Sequence, residues 1–281
     1  VVVGDEAGTA LTTGDGNTAI GFEALVTEDA HGNNTAVGYR SLKTLNAGAD
    51  GFNTAVGYQS GTSMTTGIEN TLIGSLAGDA LTNSDFNVAV GVNALSTDTL
   101  GSRTVAIGRE TLFAQNFTTA TDTYNVAVGY RAGAAVTTGL KNTLIGGQAG
   151  DSLTTNGLNV AVGYGALSTE DTGSRNVAIG VSALSSQNAD TTNYNVAVGY
   201  NAGSAVTTGI QNTLIGGLAG DALTDADGNV AVGRAALTTD TLGSQTVAIG
   251  SRALNSQNFT TATDSYNTAV GADAGLSVTT G

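Results

Sequence analysis

The chain has 281 residues, among them 41 glycines, one histidine and no proline, cysteine or tryptophan, which excludes disulfides, thiolate metal centres and nearly all imidazole chemistry. A formal charge of −14, from 9 basic and 23 acidic residues, argues against nucleic acid or an anionic membrane as partner, because both need clustered Lys and Arg. No apolar run approaches the roughly 20 residues of a membrane span, so no membrane insertion is expected in this segment.

From the first residues onward one segment recurs: Asn, then Thr or Val, then Ala or Leu, then Val or Ile, then Gly. Its closing glycines run from Gly4 and Gly21 to Gly250 and Gly271 and mark 16 units. Most successive glycines keep one short spacing, as Gly146, Gly163 and Gly180 do, but every fourth unit is slightly longer, as from Gly108 to Gly129 and from Gly180 to Gly199. A superperiod of four units is therefore imposed on the short one, and it links Gly57, Gly129, Gly199 and Gly271. Four unit types follow one another, and one copy reads Asn125 to Asn142, Asn142 to Asn159, Asn159 to Asn176 and Asn176 to Asn195. Self-similarity at a fixed period is the signature of a solenoid in which each unit contacts mainly its neighbours.

Within each unit the alternation of β-branched residues about a small one predicts a short strand, ended by the glycine. The Val or Ile before the glycine forms a ladder along the chain: Val56, Ile73, Val90, Ile107, Val128, Ile145, Val162, Ile179, Val198, Ile215, Val232, Ile249 and Val270. Four residues after the closing glycine stands Gly in first and second types (Gly133, Gly150) and Leu in third and fourth (Leu167, Leu184). A second short extended segment and a turn, often Thr-Thr-Gly, are expected to return the chain. The fold class is therefore all-β, a parallel β-roll of 16 turns over residues 1–281 as a single continuous repeat domain, about 75 Å long at about 4.8 Å per turn. Missing proline fits, since it would remove a ladder donor from any interior rung. Asn heads the strand in 13 of 15 complete units, which predicts a column of stacked amides at a turn.

Stacking must hold the roll together. Ordering each residue costs about 1 kcal/mol or more, while a buried β-branched side chain returns about 1.5 to 3 kcal/mol, so a lone unit is unstable. The aliphatic stripe that such a narrow roll leaves uncovered would be an association surface.

Strings such as Asn53-Thr54-Ala55-Val56-Gly57-Tyr58-Gln59-Ser60-Gly61 and Asn176-Val177-Ala178-Ile179-Gly180 resemble the head repeats of trimeric autotransporter adhesins of the Yersinia adhesin type. They resemble still more the repeats of phage tail-fibre proteins that end in an endosialidase-type chaperone domain. The resemblance covers all 16 units and implies a left-handed parallel β-roll, a homotrimer with the Val/Ile ladder lining a shared core, and a role in attachment. It implies an extracellular location, on a virion tail fibre or a bacterial cell surface, with a host-cell glycan or protein as the further partner. The units here are longer than the adhesin-head repeat, and the four-unit superperiod is not part of that pattern. Because the chain opens inside a second-type unit and closes inside a first-type one, anchor and tip domains are expected outside it.

No enzyme, cofactor or metal site is expected. Acids are expected in solvated turns: Asp79, Asp151 and Asp221 recur four units apart, about 19 Å along the axis, and cannot pair within one column. Neighbours such as Asp225 with Asp227, or Glu170 with Asp171, fall short of the six or more oxygens a calcium ion wants. His31 with a serine makes no triad. Thr-Thr pairs recur mainly once per four units, too sparse for ice binding. A passive filament or spacer subunit differs from an attachment fibre only in whether the shaft itself binds, and two features are candidates for binding. Phe22, Tyr39, Tyr58, Tyr130, Tyr164 and Tyr200 directly follow a closing glycine, where they can pack over the turn or stack on a sugar. The elongated fourth-type turns carry Phe113, Phe117, Asp122, Tyr124, Tyr194, Phe259, Asp264 and Tyr266 as candidate receptor contacts, since insertions on one face of a solenoid are where binding usually lives, while their near-identical copies fit a structural flap fixed by duplication.

Overall fold

A computed structural model describes all of residues 1–281. It is an all-β parallel solenoid of sixteen turns without a helix, so no helix is long and apolar enough to cross a membrane. The chain packs as two compact units, Val1–Lys141 and Asn142–Gly281.

In the first unit the strands are Val2–Val3, Thr18–Ile20, Thr35–Val37, Thr54–Val56, Thr71–Ile73, Val88–Val90, Val105–Ile107 and Val126–Val128. In the second they are Thr143–Ile145, Val160–Val162, Val177–Ile179, Val196–Val198, Thr213–Ile215, Val230–Val232, Val247–Ile249 and Thr268–Val270. Within each unit every one of these strands pairs in parallel with the next, and register is kept residue for residue: Val160 opposes Val177, Ala161 opposes Ala178 and Val162 opposes Ile179.

Strand alternation sorts the side chains. Ala161 and its counterparts from Ala19 to Ala248, with Leu72, Leu144 and Leu214, point inward and are fully buried, whereas the flanking Val, Thr and Ile lie outside and are partly exposed. The interior is therefore a thin column of Ala and Leu. Leu25, Leu42, Leu95, Leu112, Leu167, Leu184 and Leu237, four residues past the closing glycines, complete it and are fully buried although each holds a positive φ of 48–54°. That conformation costs about 1–2 kcal/mol for a residue with a Cβ, and burying leucine offsets it with about 1.5–3 kcal/mol.

The closing glycines are required by close approach. Gly146 has φ +133°, and a Cβ there would stand 2.5 Å from the carbonyl oxygen of Gly163 in the next turn.

The asparagines do form a column, but mostly through the backbone. Asn159 Oδ1 accepts the N–H of Asn176 at 3.0 Å, and its Nδ2 donates to the carbonyl of Gly173 at 3.0 Å. The same pair of bonds recurs at Asn53, Asn70, Asn87, Asn195, Asn212 and Asn229. Each amide thus ties the strand entrance to the turn that returns the chain, and Asn34, Asn53 and Asn70 are also joined by direct amide-to-amide bonds.

The expected second strand in every unit does not form. After the closing glycine the backbone enters successive tight turns, and left-handed residues break any extended run. A second strand appears only beside two elongated turns, where Gly101–Ser102 pairs with Thr121–Asp122 and Gly243–Ser244 pairs with Thr263–Asp264.

Candidate functional site

The outer face of the strands presents two β-branched positions per rung and no charged side chain. The ladder from Val56 to Val270 lies on this face: the isoleucines Ile73, Ile107, Ile145, Ile179, Ile215 and Ile249 are 37–40% exposed and Val270 69%, while Val56, Val90, Val128, Val162, Val198 and Val232 are half-buried. Within a monomer the ladder is thus surface, and only the neighbouring rungs cover it.

Beside this stripe stand the aromatics that follow the closing glycines. Phe22, Tyr39 and Tyr58 stack in a column, with ring centroids 5.4 and 5.3 Å apart and rings within 15° of parallel, and Arg40 lies over the Tyr39 ring at 4.9 Å. Tyr130, Tyr164 and Tyr200 have no aromatic neighbour in the column and are 48%, 61% and 61% exposed. At the first of these levels Glu23 accepts from both Arg40 and Lys43 at 2.6 Å, and these contacts, Lys43 foremost, hold its carboxyl below the ordinary value.

The elongated turns are organised by acids that sequence reasoning placed in solvent. Asp98 is fully buried: its Oδ1 accepts the N–H groups of Gly101 (3.1 Å) and Phe117 (3.0 Å), and its Oδ2 accepts Gln115 Nε2 at 2.6 Å. Gln115 in turn accepts Asn125 Nδ2 at 2.9 Å, which joins the turn to the asparagine column. Asp240, Gly243, Phe259, Gln257 and Asn267 repeat the network. Glu28 and Glu170 hold the same place in the other two copies and are also fully buried, Glu170 accepting from Gly173 N (2.6 Å), Ala189 N (3.4 Å) and Asn193 Nδ2 (3.0 Å). Burial outweighs these bonds and pushes the Glu170 carboxyl above the ordinary value. Donor count places these acids inside: a longer turn brings more backbone N–H groups inward, and a carboxylate with two oxygens satisfies them. The sequence carried the signal, since Glu28, Asp98, Glu170 and Asp240 recur at the spacing of the superperiod itself.

The candidate contact residues separate accordingly. Phe117 is buried against the turn it helps close, and its sequence copy Phe259 is half-buried with its ring against Gly243, where a Cβ would stand 2.8 Å from Cδ2. Phe117 therefore packs within its turn and leaves little of its ring on the surface. Phe113, Tyr124, Tyr194 and Tyr266 are exposed, as are Asp122 and Asp264. Asp122 pairs with Arg103, Arg175 lies over Tyr194 at 5.6 Å, and the Tyr266 hydroxyl donates to Asp264 at 3.4 Å. Phe113 borders a cavity of about 350 Å³ with Asn93, Glu110, Arg131, Ala134 and Ala135.

Of the acids taken together in sequence, Asp79 has an unusual environment. Its Oδ1 is buried with no hydrogen-bond partner, and burial pushes its carboxyl up to about 6. One group of metal-ligand type exists, Glu28, Asp29 and His31, with His31 Nδ1 3.5 Å from Glu28 Oε1. Glu28 already accepts the N–H groups of Asp29, His31 and Ala47 at 3.1–3.2 Å, the anchoring task Glu170 performs with no histidine beside it. No known family's sequence model, no curated protein and no solved structure matches this chain.

Proposed function

We propose that the chain is a non-enzymatic fibre segment that assembles as a left-handed homotrimer and serves in host attachment, as the stalk or head of a phage tail fibre. The observation that carries this reading is the outer strand face: an uncharged double row of Val, Thr and Ile, partly exposed on every rung of a protein whose net charge is −14. A monomer would leave that stripe in water, and association of three copies removes it. The repeat's resemblance to tail-fibre and adhesin-head repeats supplies handedness, trimer and attachment role, and extends equally to a bacterial surface adhesin.

Sedimentation equilibrium tests the assembly. The expected result is a trimer that Val162→Asp dissociates, since it sets three charges at one level of the shared core, while Thr155→Asp on an exposed turn leaves it intact. A stable monomer for the unaltered chain overturns the reading.

A further inference from the structure

In a repeating scaffold a binding site is written as a coordinated departure from the repeat, and one level of the second unit departs at six neighbouring positions. An open groove of about 300 Å³ lies there, bordered by Tyr164 and Gly165 of one turn, Gln148, Asp151 and Ser152 of the turn before, and Ser182 and Ser185 of the turn after, with Ser168 at its side.

Each position can be compared with its equivalents one superperiod away in either direction. Gln148 stands where the neighbouring periods have Leu76 and Leu218, and Ser152 where they have Ala80 and Ala222. Tyr164 replaces Val92 and Arg234, and Gly165 replaces Asn93 and Ala235. Ser182 stands for Glu110 and Arg252, and Ser185 for Phe113 and Asn255. The changes run in two directions at once. Charged, aromatic and amide side chains give way to glycine and serine, while apolar ones give way to an amide and a hydroxyl, so neutral hydrogen-bonding groups line this groove where the equivalents Asn93, Glu110 and Phe113 border a cavity charged by Glu110 and Arg131.

At the same place in the other periods ion pairs stand instead. Glu23 is held by Arg40 and Lys43, Glu110 by Arg109 at 2.8 Å and Arg131 at 3.5 Å, and Arg252 pairs with Asp273 at 2.8 Å. The groove has no cation on its lining, and its only charge is the Asp151 carboxylate. Gly165 keeps the left-handed backbone of its equivalents, with φ +62° against +56° at Asn93 and +54° at Ala235, so the missing side chain changes the space and not the fold.

We propose that this groove binds one neutral pyranose residue of a glycan. The Tyr164 ring, 61% exposed and with no aromatic neighbour in its column, offers a flat face to the C–H side of a sugar. Gln148, the serines and Asp151 supply the mixture of donors and acceptors that vicinal hydroxyls require. The volume lies at the lower end of the range of about 300–1,000 Å³ for small-molecule sites, which suits one ring and not an extended chain. Asp151 and the absence of Lys or Arg disfavour sialic or uronic acids. The inference gives the attachment reading a ligand class and a place, and it adds a site on a turn face that the trimer reading does not use.

The test is saturation-transfer difference NMR of the full chain with the methyl glycosides of glucose, galactose, mannose and N-acetylglucosamine, with the methyl glycoside of N-acetylneuraminic acid as the anionic control. Transfer to at least one neutral glycoside and none to the N-acetylneuraminic acid glycoside is expected. Gly165→Asn and Ser182→Arg, which restore side chains found at the equivalent positions, are expected to weaken that binding about tenfold or more, as is Tyr164→Ala, each with an unchanged unfolding temperature. No transfer to any of the four glycosides overturns the proposal, as does binding that survives Gly165→Asn and Ser182→Arg. Sedimentation of the same samples keeps the outcomes apart, because a trimer that binds no glycoside removes the groove and leaves the fibre.

Discussion

Leu144 and Gly150 occupy one volume: a Cβ on Gly150 would lie 2.8 Å from Leu144 Cδ2, and Leu153 Cδ1 closes the space from the other side at 2.7 Å. In the next turn the arrangement is inverted, with small Ala161 on the strand and Leu167 filling the corner. Second-type turns thus place a leucine on the strand, and third- and fourth-type turns place one at the corner. First-type turns, with Ala on the strand and Gly at the corner, borrow it: a Cβ on Gly203 would meet Leu184 at 3.0 Å and Leu214 at 2.6 Å, from the turns before and after.

That relationship predicts a rescue. Gly150→Leu alone overpacks the corner and is expected to cost about 1–3 kcal/mol, and Leu144→Ala alone leaves a cavity costing about 2–5 kcal/mol. The double variant recreates a third-type turn, with Leu at φ near +55° as at Leu167, and is expected to be more stable than Leu144→Ala. Chemical denaturation of the four proteins measures the coupling, and strict additivity would contradict the shared volume.

Asp98 anchors the elongated turn from inside. Asp98→Ala leaves Gly101 N–H, Phe117 N–H and Gln115 Nε2 without their acceptor, at about 1–3 kcal/mol for each orphaned donor. Amide exchange at Phe117 is expected to accelerate sharply. Asp122→Ala removes only an exposed partner of Arg103 and is expected to cost less than about 1 kcal/mol.

Asp79 makes stability depend on pH. Its folded-state value, about 6, is raised above the ordinary 3.8, so the fold favours the protonated form. The contribution is fully present below the ordinary value and is lost as pH rises through about 6. Asp79→Asn is therefore expected to raise the unfolding temperature near pH 7 and to leave it almost unchanged near pH 3.5, read by thermal scans across that window.

Asn159 carries the column with two bonds of different polarity. Asn159→Ala removes the acceptor for Asn176 N–H and the donor to the Gly173 carbonyl, both buried, and is expected to destabilise by about 2–4 kcal/mol. Asn159→Asp keeps the acceptor alone and sets a carboxylate against a carbonyl, so it is expected to recover little. Urea unfolding distinguishes the two.

Much of this was legible in the sequence, because a solenoid repeats its reasons. The strand positions, the parallel register and the need for glycine at Gly146 follow from the short period and the alternation around each Ala or Leu, which are local properties of the chain. Even the corner rule, Gly at Gly150 and Leu at Leu167, is visible as text. Its cause is not, since Leu144 shares with Leu153 the space that a Cβ on Gly150 would enter, and only closure of the turn brings the strand leucine to the corner.

The acids mark the same boundary. An aspartate in a polar turn reads as solvated, and Asp98 is buried only because the turn folds its own N–H groups inward around it. The Tyr164 groove is likewise an arrangement across three turns, in which Gln148, Gly165 and Ser182 are each unremarkable in their own stretch of chain. Sequence by itself determined what repeats, since strand, glycine and asparagine act within a unit or upon its copy one period away. Tertiary structure alone decided which side chains are inside and which corner stands open, because burial and empty space belong to residues that meet only after the chain has turned.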